Sequence, residues 1–99
     1  TDIKDVYEEF ALSSARGITT RDVSDVRRSS ALLVNYVGAK TPSLGTALEI
    51  GIAHALNIPV VVAMEPGNPN DHAMIRHIAG FIFPTLDEAV EATKMLLLP

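Results

Sequence analysis

Two short apolar runs, separated by a segment long enough for one helix, constrain the fold of this chain most strongly. They are ALLVNY at residues 31–36 and PVVVAM at residues 59–64. Both are apolar at consecutive positions, which is typical of strands that are buried on both faces. Strands of this kind that alternate with helices form parallel sheets. We therefore predict an α/β, doubly wound, Rossmann-like parallel sheet with helices on both faces.

The segments around these runs predict the remaining elements. Apolar spacing predicts an amphipathic helix over residues 2–12, ended at Gly17, and a second helix that begins at Thr19 or Thr20. A helix over residues 46–56 should end at Asn57, a residue suited to the left-handed cap position. HAMIRHIAG predicts a short helix, FIF a third strand, and the spacing of Thr85 and Glu88 a capping box that opens the last helix.

Length and composition limit the class of protein. The chain has 99 residues, a net charge of −4 and no cysteine. We expect a single domain over residues 1–99, located in the cytoplasm, without a membrane segment, a disulfide or a thiolate-bound metal. The acidic balance argues against binding to a nucleic-acid polymer. Three strands make a thin sheet and Thr1 is not an initiator, so we expect that the chain lacks its first strand or strands.

The stretch SLGTALEIG at residues 43–51 contains an isolated carboxylate, Glu49. In one interpretation, Thr46 and Glu49 form a capping box and the role of Glu49 is structural. In the other, Glu49 is functional, because its helix neighbours are almost all apolar and a carboxylate among them has a raised pKa. Both interpretations stay open at this point.

The residues before Glu49 are suited to binding an oxyanion. Ser43, Gly45 and Thr46 supply backbone N–H groups at the start of a helix, together with two hydroxyls. The spacing is neither the dinucleotide-binding glycine pattern nor a P-loop, and no lysine follows. The sequence therefore predicts a substrate site of another type, with a phosphate or similar group at this position.

Three stretches resemble the nucleoside 2-deoxyribosyltransferase superfamily, which includes the 2′-deoxynucleoside 5′-monophosphate N-glycosidases. They are RDVSDVRRSSALLVNY, PSLGTALEIGIAHALNIPVVV and HAMIRHIAG, within residues 20–97, and the most specific element is S-x-G-T-x-x-E-[IL]-G. The resemblance implies that Glu49 is the nucleophile that attacks the anomeric carbon. It also implies that Asp22 assists at the sugar or the base, and that no cofactor is required.

The chain departs from the family pattern at several positions. Ser43 stands where the transferases often carry Asp and the monophosphate hydrolases carry a phosphate-binding Ser, which favours a phosphorylated or otherwise modified substrate. His72 stands where the hydrolases present a second phosphate-binding Ser. Ser30 replaces an Asp that often precedes the first matched strand. The family's first strand and its glycine-containing loop have no counterpart, which places catalysis in doubt if they are truly absent.

The other polar residues have weaker patterns. Asp25 is typical of a solvated helix face with arginine partners, and Asn35 ends a strand at the ligand edge, where its amide either binds a hydroxyl or caps the loop. Asn68 and Asn70 are typical turn residues, although Asn70 stays a candidate substrate ligand. The histidines do not have metal-binding spacing, so we expect no metal site.

These patterns predict an enzyme that cleaves or transfers the N-glycosidic bond of a (deoxy)nucleoside or nucleoside 5′-monophosphate. The alternative is a non-catalytic nucleotide-binding or sensing module on the same fold. The apolar helix around Glu49 and the run MLLLP at the end of the chain also predict a homodimer or higher even oligomer. In that assembly, residues 70–76 would lie near a neighbour's pocket.

Overall fold

A computed structural model describes residues 15–99 of the chain. The predicted helix over residues 2–12 lies outside these residues. The described elements are, in chain order, α1 (Ala15–Arg27), β1 (Leu32–Asn35), α2 (Leu44–Ala55), β2 (Val60–Ala63), α3 (Ala73–Ile78), β3 (Phe81–Phe83) and α4 (Leu86–Leu96).

The strands form one parallel sheet in the order β1-β2-β3. Val34 of β1 lies opposite Val62 of β2, and Val62 lies opposite Ile82 of β3. All four residues of β2 are buried, as expected for the central strand of a parallel sheet that is covered on both faces. The apolar run that predicted this strand is continuous because both faces of the strand are buried.

Helices cover both faces of the sheet, which confirms the predicted doubly wound architecture. On one face, residues of α1, α2 and α3 pack against alternate strand residues, and on the other face α4 packs against the intervening ones. The first core contains Val26, Val34, Ile50, Ala53, Val62 and Ile75, and the second contains Val61, Ala63 and Ala89. None of the helices among the described residues is both long and apolar enough to cross a bilayer.

The predicted break at Gly17 is wrong, as is the predicted start of the second helix at Thr19 or Thr20. Gly17 lies inside α1, which the structure describes from Ala15 onward. A glycine in a helix interior costs only about 1 kcal/mol relative to alanine. The packing of Val26 in the core is sufficient to offset such a cost.

The predicted helix ends are confirmed at Asn57 and Thr85. Asn57 follows α2 with a φ of 60°, in the left-handed region. Thr85 caps α4 by accepting a hydrogen bond from the Glu88 backbone N–H at 3.3 Å. The Thr85 hydroxyl also donates to the Glu88 carboxylate at 2.9 Å, so Glu88 bonds the hydroxyl of the cap residue.

Candidate functional site

The start of α2 is held by Ser43. This residue is the N-cap, and its hydroxyl accepts from the Thr46 N–H at 3.3 Å and donates to the Thr46 hydroxyl at 2.9 Å. The helix therefore begins at Leu44, two residues earlier than predicted. The interpretation of Thr46 and Glu49 as a capping box is wrong, because Thr46 already lies in the first turn and its amide is bonded to Ser43. Glu49 has no capping role.

Glu49 lies in a depression of about 190 Å³ between α1, β1 and α2. Its pKa is raised above the ordinary value, first by burial and then by the negative charge of Asp22. Both effects disfavour the ionised carboxylate, and within residues 15–99 no hydrogen bond offsets them. The structure thus brings together Glu49 and Asp22, the two residues that the sequence predicted as catalytic.

The neighbouring aspartate of α1 has a different environment. Asp25 is exposed and forms an ion pair with Arg28, with a distance of 2.6 Å between Oδ1 and Nη2. This confirms the prediction of a solvated face at Asp25. An exposed pair of this type contributes roughly 0–1 kcal/mol. Both aspartates line the depression that contains Glu49. Asp22 is partly buried and its charge raises the pKa of Glu49, whereas Asp25 is exposed and paired with Arg28.

Tyr36 belongs to the surroundings of Glu49, and sequence reasoning missed it. Its side chain is only 4% exposed, and within the described chain its hydroxyl has no hydrogen-bond partner. Burial raises the pKa of Tyr36, and the nearby charge of Glu49 raises it further. The available signal was its position: an aromatic residue with a polar end directly follows a buried strand at the edge where ligands bind.

The loops after β1 and β2 are joined by three polar side chains, Glu65, Asn68 and Asn70, which we term the loop clasp. The Asn68 amide donates to the Tyr36 carbonyl at 2.7 Å and to the Glu65 carboxylate. The Asn70 side-chain oxygen accepts from the Ser43 backbone N–H at 2.7 Å. Asn68 and Asn70 are therefore more than turn residues, because their amides hold parts of the chain that are distant in sequence.

Glu65 completes the loop clasp from the end of β2. Its carboxylate accepts from the Gly38 backbone N–H at 2.8 Å. The hydrogen bonds from Asn68 and Gly38 lower the pKa of Glu65. Gly38 has a φ of 78°, which side-chain-bearing residues rarely adopt, so a glycine allows the amide of this turn to face the carboxylate.

The remaining predicted site residues lie at the same end of the sheet. Asn35 is exposed and its side-chain oxygen accepts from the Val37 N–H at 3.0 Å, so it caps this loop, while its role as a substrate ligand stays a prediction. Gly45 is exposed in the first turn of α2, where an added Cβ would meet no atom within 4 Å. His72 caps α3, with Nδ1 accepting from the Met74 N–H at 3.0 Å.

A second and larger cavity lies between α2 and α3. This cleft of about 470 Å³ is lined by Ser43, Asn70 and His72 together with apolar side chains that include Leu44 and Met74. Glu49 and Asp22 line the smaller depression instead. The described residues therefore place the predicted catalytic pair and three of the predicted substrate ligands in two separate cavities beside α2. Residues 17–99 contain no cluster of side chains suited to holding a metal ion.

Comparison with known proteins identifies the family. The family model described as nucleoside 2-deoxyribosyltransferase matches residues 3–91, which include Asp22, Glu49 and His72. No curated protein and no solved structure matches the chain significantly. The family match spans most of the chain and agrees with the parallel α/β fold. The chain belongs to the nucleoside 2-deoxyribosyltransferase family.

Proposed function

We propose that this protein cleaves or transfers the N-glycosidic bond of a (deoxy)nucleoside or nucleoside 5′-monophosphate, with Glu49 as the nucleophile. The observation that supports the proposal is the environment of the Glu49 carboxylate. It is partly buried beside Asp22 and is not used to cap the helix that carries it. It also receives no hydrogen bond from the part of the chain that the structure describes. A carboxylate that the fold leaves in this state is typical of a reactive group.

The chemistry follows from two carboxylates in one depression. The ionised Glu49 attacks the anomeric carbon, and the bond from this carbon to the base nitrogen breaks with its electron pair leaving on the base. Asp22 orients the sugar or protonates the departing base. A second base or water then attacks the anomeric carbon, loses a proton and releases the Glu49 carboxylate. The acceptor decides between transfer and hydrolysis.

The start of α2 would bind the far end of the substrate. Ser43, Gly45 and Thr46 lie where the positive end of the helix dipole favours a phosphate or the 5′-oxygen of a sugar. Asn35 and His72 lie at the same end of the sheet and offer further polar groups. Asn70 holds the start of α2 by accepting a hydrogen bond from the Ser43 backbone N–H.

Substitution of Glu49 tests the proposal directly. We expect Glu49→Ala and Glu49→Gln to lower base release by at least about a thousandfold, because the covalent route is lost. Base release from 2′-deoxynucleosides and their 5′-monophosphates, with and without a second base, is followed by chromatography. The exposed Glu91, which pairs with Lys94 on α4, provides the control Glu91→Gln, which should retain full activity. Wild-type turnover in both Glu49 variants would contradict the assignment.

A non-catalytic nucleotide-binding role is the second candidate. The observation in its favour is that Ser43, Asn70 and His72 line a cleft that is separate from the depression of Glu49 and Asp22. Calorimetry of the full-length protein with a panel of nucleotides, followed by chromatography of the recovered ligand, distinguishes the two functions. Recovery of intact ligand only would favour the binding role.

We also propose that the protein assembles as a homodimer or higher even oligomer. Leu44 and Leu48 of α2 and Met74 of α3 are large apolar side chains at the surface, 77%, 61% and 68% exposed, and Leu44 and Met74 also line the larger cleft. A second copy of the chain is the simplest cover for such a surface, and it would bring residues 70–76 near a neighbour's pocket. Light scattering of the full-length protein tests this: a monomeric mass at micromolar concentration would refute it.

A further inference from the structure

We propose that Asn68 is a positioning residue of this protein. Through Asn70 it fixes the position of the first turn of α2, and through the Tyr36 carbonyl it fixes the loop that follows β1. The effect of Asn68 on turnover rests on the proposed function, whereas its effect on the position of the two loops does not. Separate experiments test these two effects.

Asn68 is buried and its side-chain amide is fully used. The residue is 6% exposed. Its Nδ2 donates to the Tyr36 carbonyl at 2.7 Å and to the Glu65 carboxylate. Its Oδ1 accepts from the Asn70 backbone N–H at 2.9 Å and from the Asn70 side-chain Nδ2 at 3.1 Å. Since a buried amide that loses its partners is costly, this arrangement holds its members in one geometry.

The orientation of the Asn68 amide determines that of Asn70. A carbonyl and a carboxylate only accept hydrogen bonds, so the NH₂ group of Asn68 must face Tyr36 and Glu65. Its oxygen then faces Asn70 and requires the Asn70 NH₂ group on that side. The Asn70 oxygen is thereby presented to the Ser43 N–H, at 2.7 Å. This chain of hydrogen bonds from Asn68 through Asn70, which we term the relay, gives the Ser43 N–H an acceptor. If the Asn70 amide were flipped, its NH₂ group would face the Ser43 N–H, and two donors would oppose each other.

Ser43 is the residue at which this relay meets the site. Its backbone amide is held by Asn70, and its hydroxyl is therefore placed to cap α2 through Thr46. Because α2 is a regular helix from Leu44 to Ala55, a displacement of its first turn also moves Glu49, which lies on the same helix. No hydrogen bond joins Asn68 to Ser43 or Glu49 among the described residues, whereas Asn68 bonds Asn70 and Asn70 bonds Ser43. Its influence on Ser43 and Glu49 therefore passes through Asn70.

Steady-state kinetics of Asn68→Ala tests the positioning role. We expect KM to rise about tenfold in protein that is folded by circular dichroism, because the substrate-binding end of α2 is no longer fixed. Val61→Ala is the matched control: Val61 is a buried residue of β2 in the core beneath α4, and its loss lowers stability without touching the loop clasp. A purely structural loss changes the amount of active enzyme and leaves KM unchanged. An unchanged KM in Asn68→Ala would overturn the proposal.

A double-mutant cycle tests the route through Asn70. If Asn68 acts through Asn70, then Asn68→Ala should add less than a twofold change in KM to the Asn70→Ala variant, whereas independent effects would multiply. Multiplying effects would overturn the relay.

Amide hydrogen exchange measured by NMR provides a readout that does not depend on activity. Asn68→Ala should accelerate exchange at Ser43 by at least tenfold, while Val61→Ala should alter it no more than it alters the amides of α2. If the wild-type protein turned over no nucleoside or nucleotide, the proposed function would fail and this measurement would still decide the positioning role. Unchanged exchange at Ser43 would overturn it.

Discussion

The fold affects the ionisation of Glu49 and Glu65 in opposite directions. Glu65 follows β2, and its carboxylate accepts hydrogen bonds from the Gly38 amide and from Asn68, which lower its pKa. Glu49 lies on α2, and its pKa is raised by burial and by the charge of Asp22. The fold stabilises the ionised form of one glutamate and destabilises that of the other.

This difference separates structural from chemical use of the same side chain. The ionised Glu65 joins two loops, so its charge is part of what holds them. Burial and the Asp22 charge raise the free energy of the ionised Glu49. Carboxylates that are destabilised in this way occur mainly at functional sites.

Removal of the Asp22 charge should have the largest effect. We expect Asp22→Asn to lower kcat/KM by roughly 10–100-fold, as for the loss of a general acid or an orienting group. Because the Asp22 charge raises the pKa of Glu49, the acid limb of the pH–rate profile should also move to lower pH. The control is Asp87→Asn, which removes an exposed carboxylate of α4 that does not line the depression of Glu49. An acid limb that stays in place would show that the two carboxylates are not coupled.

Removal of the Ser43 hydroxyl should cost about 1 kcal/mol of unfolding free energy, the usual value for a lost N-cap. The hydroxyl accepts from the Thr46 amide, so Ser43→Ala leaves that amide without its partner. Urea unfolding of Ser43→Ala and Thr46→Val provides the comparison, since Thr46→Val keeps the cap. Equal stability of Ser43→Ala and the wild type would mean that another residue caps α2. The conclusion that Glu49 has no capping role would then fail.

Glutamine at the two glutamate positions should change stability in opposite directions at pH 7. The folded-state pKa of Glu49 is raised above its ordinary value of 4.5, so its stabilising contribution is present below pH 4.5 and lost as pH rises through the folded pKa. Glu49→Gln should therefore gain less than about 1 kcal/mol at pH 7, and the gain should disappear in acid.

The reverse holds for Glu65, whose folded-state pKa is lowered from 4.5. Its stabilising contribution is present above pH 4.5 and lost as pH falls through the folded pKa. Glu65→Gln should be less stable than the wild type at pH 7 and approach it in acid. Thermal unfolding of both variants between pH 3 and pH 7 measures the two trends, and trends of the same sign would remove the contrast between the two glutamates.

Tyr36→Phe should have the smallest effect on stability. The hydroxyl is buried and has no hydrogen-bond partner among the described residues, so its removal relieves a desolvation cost and loses no bond. We expect an unfolding midpoint equal to or slightly above that of the wild type in a thermal melt. A clear decrease would show that the hydroxyl is bonded in the folded protein.

From β1 onward the sequence was sufficient to predict the order of the elements, and it also identified the catalytic candidates. Consecutive apolar residues predicted β1 and β2 because two-sided burial leaves no polar face on a strand. Asn57 and Thr85 predicted helix ends because their caps depend on local backbone geometry and neighbouring side chains. Glu49 and Asp22 were identified from the S-x-G-T-x-x-E-[IL]-G stretch and the family resemblance.

Only the tertiary structure decided which polar groups hold the fold and which are left for chemistry. Ser43 and Thr46 are both acceptable caps by sequence. In the structure Ser43 is the N-cap, because its hydroxyl accepts from the Thr46 N–H, and its own backbone N–H is held by the distant Asn70. Asn68 looked like an ordinary turn residue because its partner Tyr36 lies 32 positions away. Burial and hydrogen bonding depend on contacts between distant segments, and a local pattern of residues does not contain them.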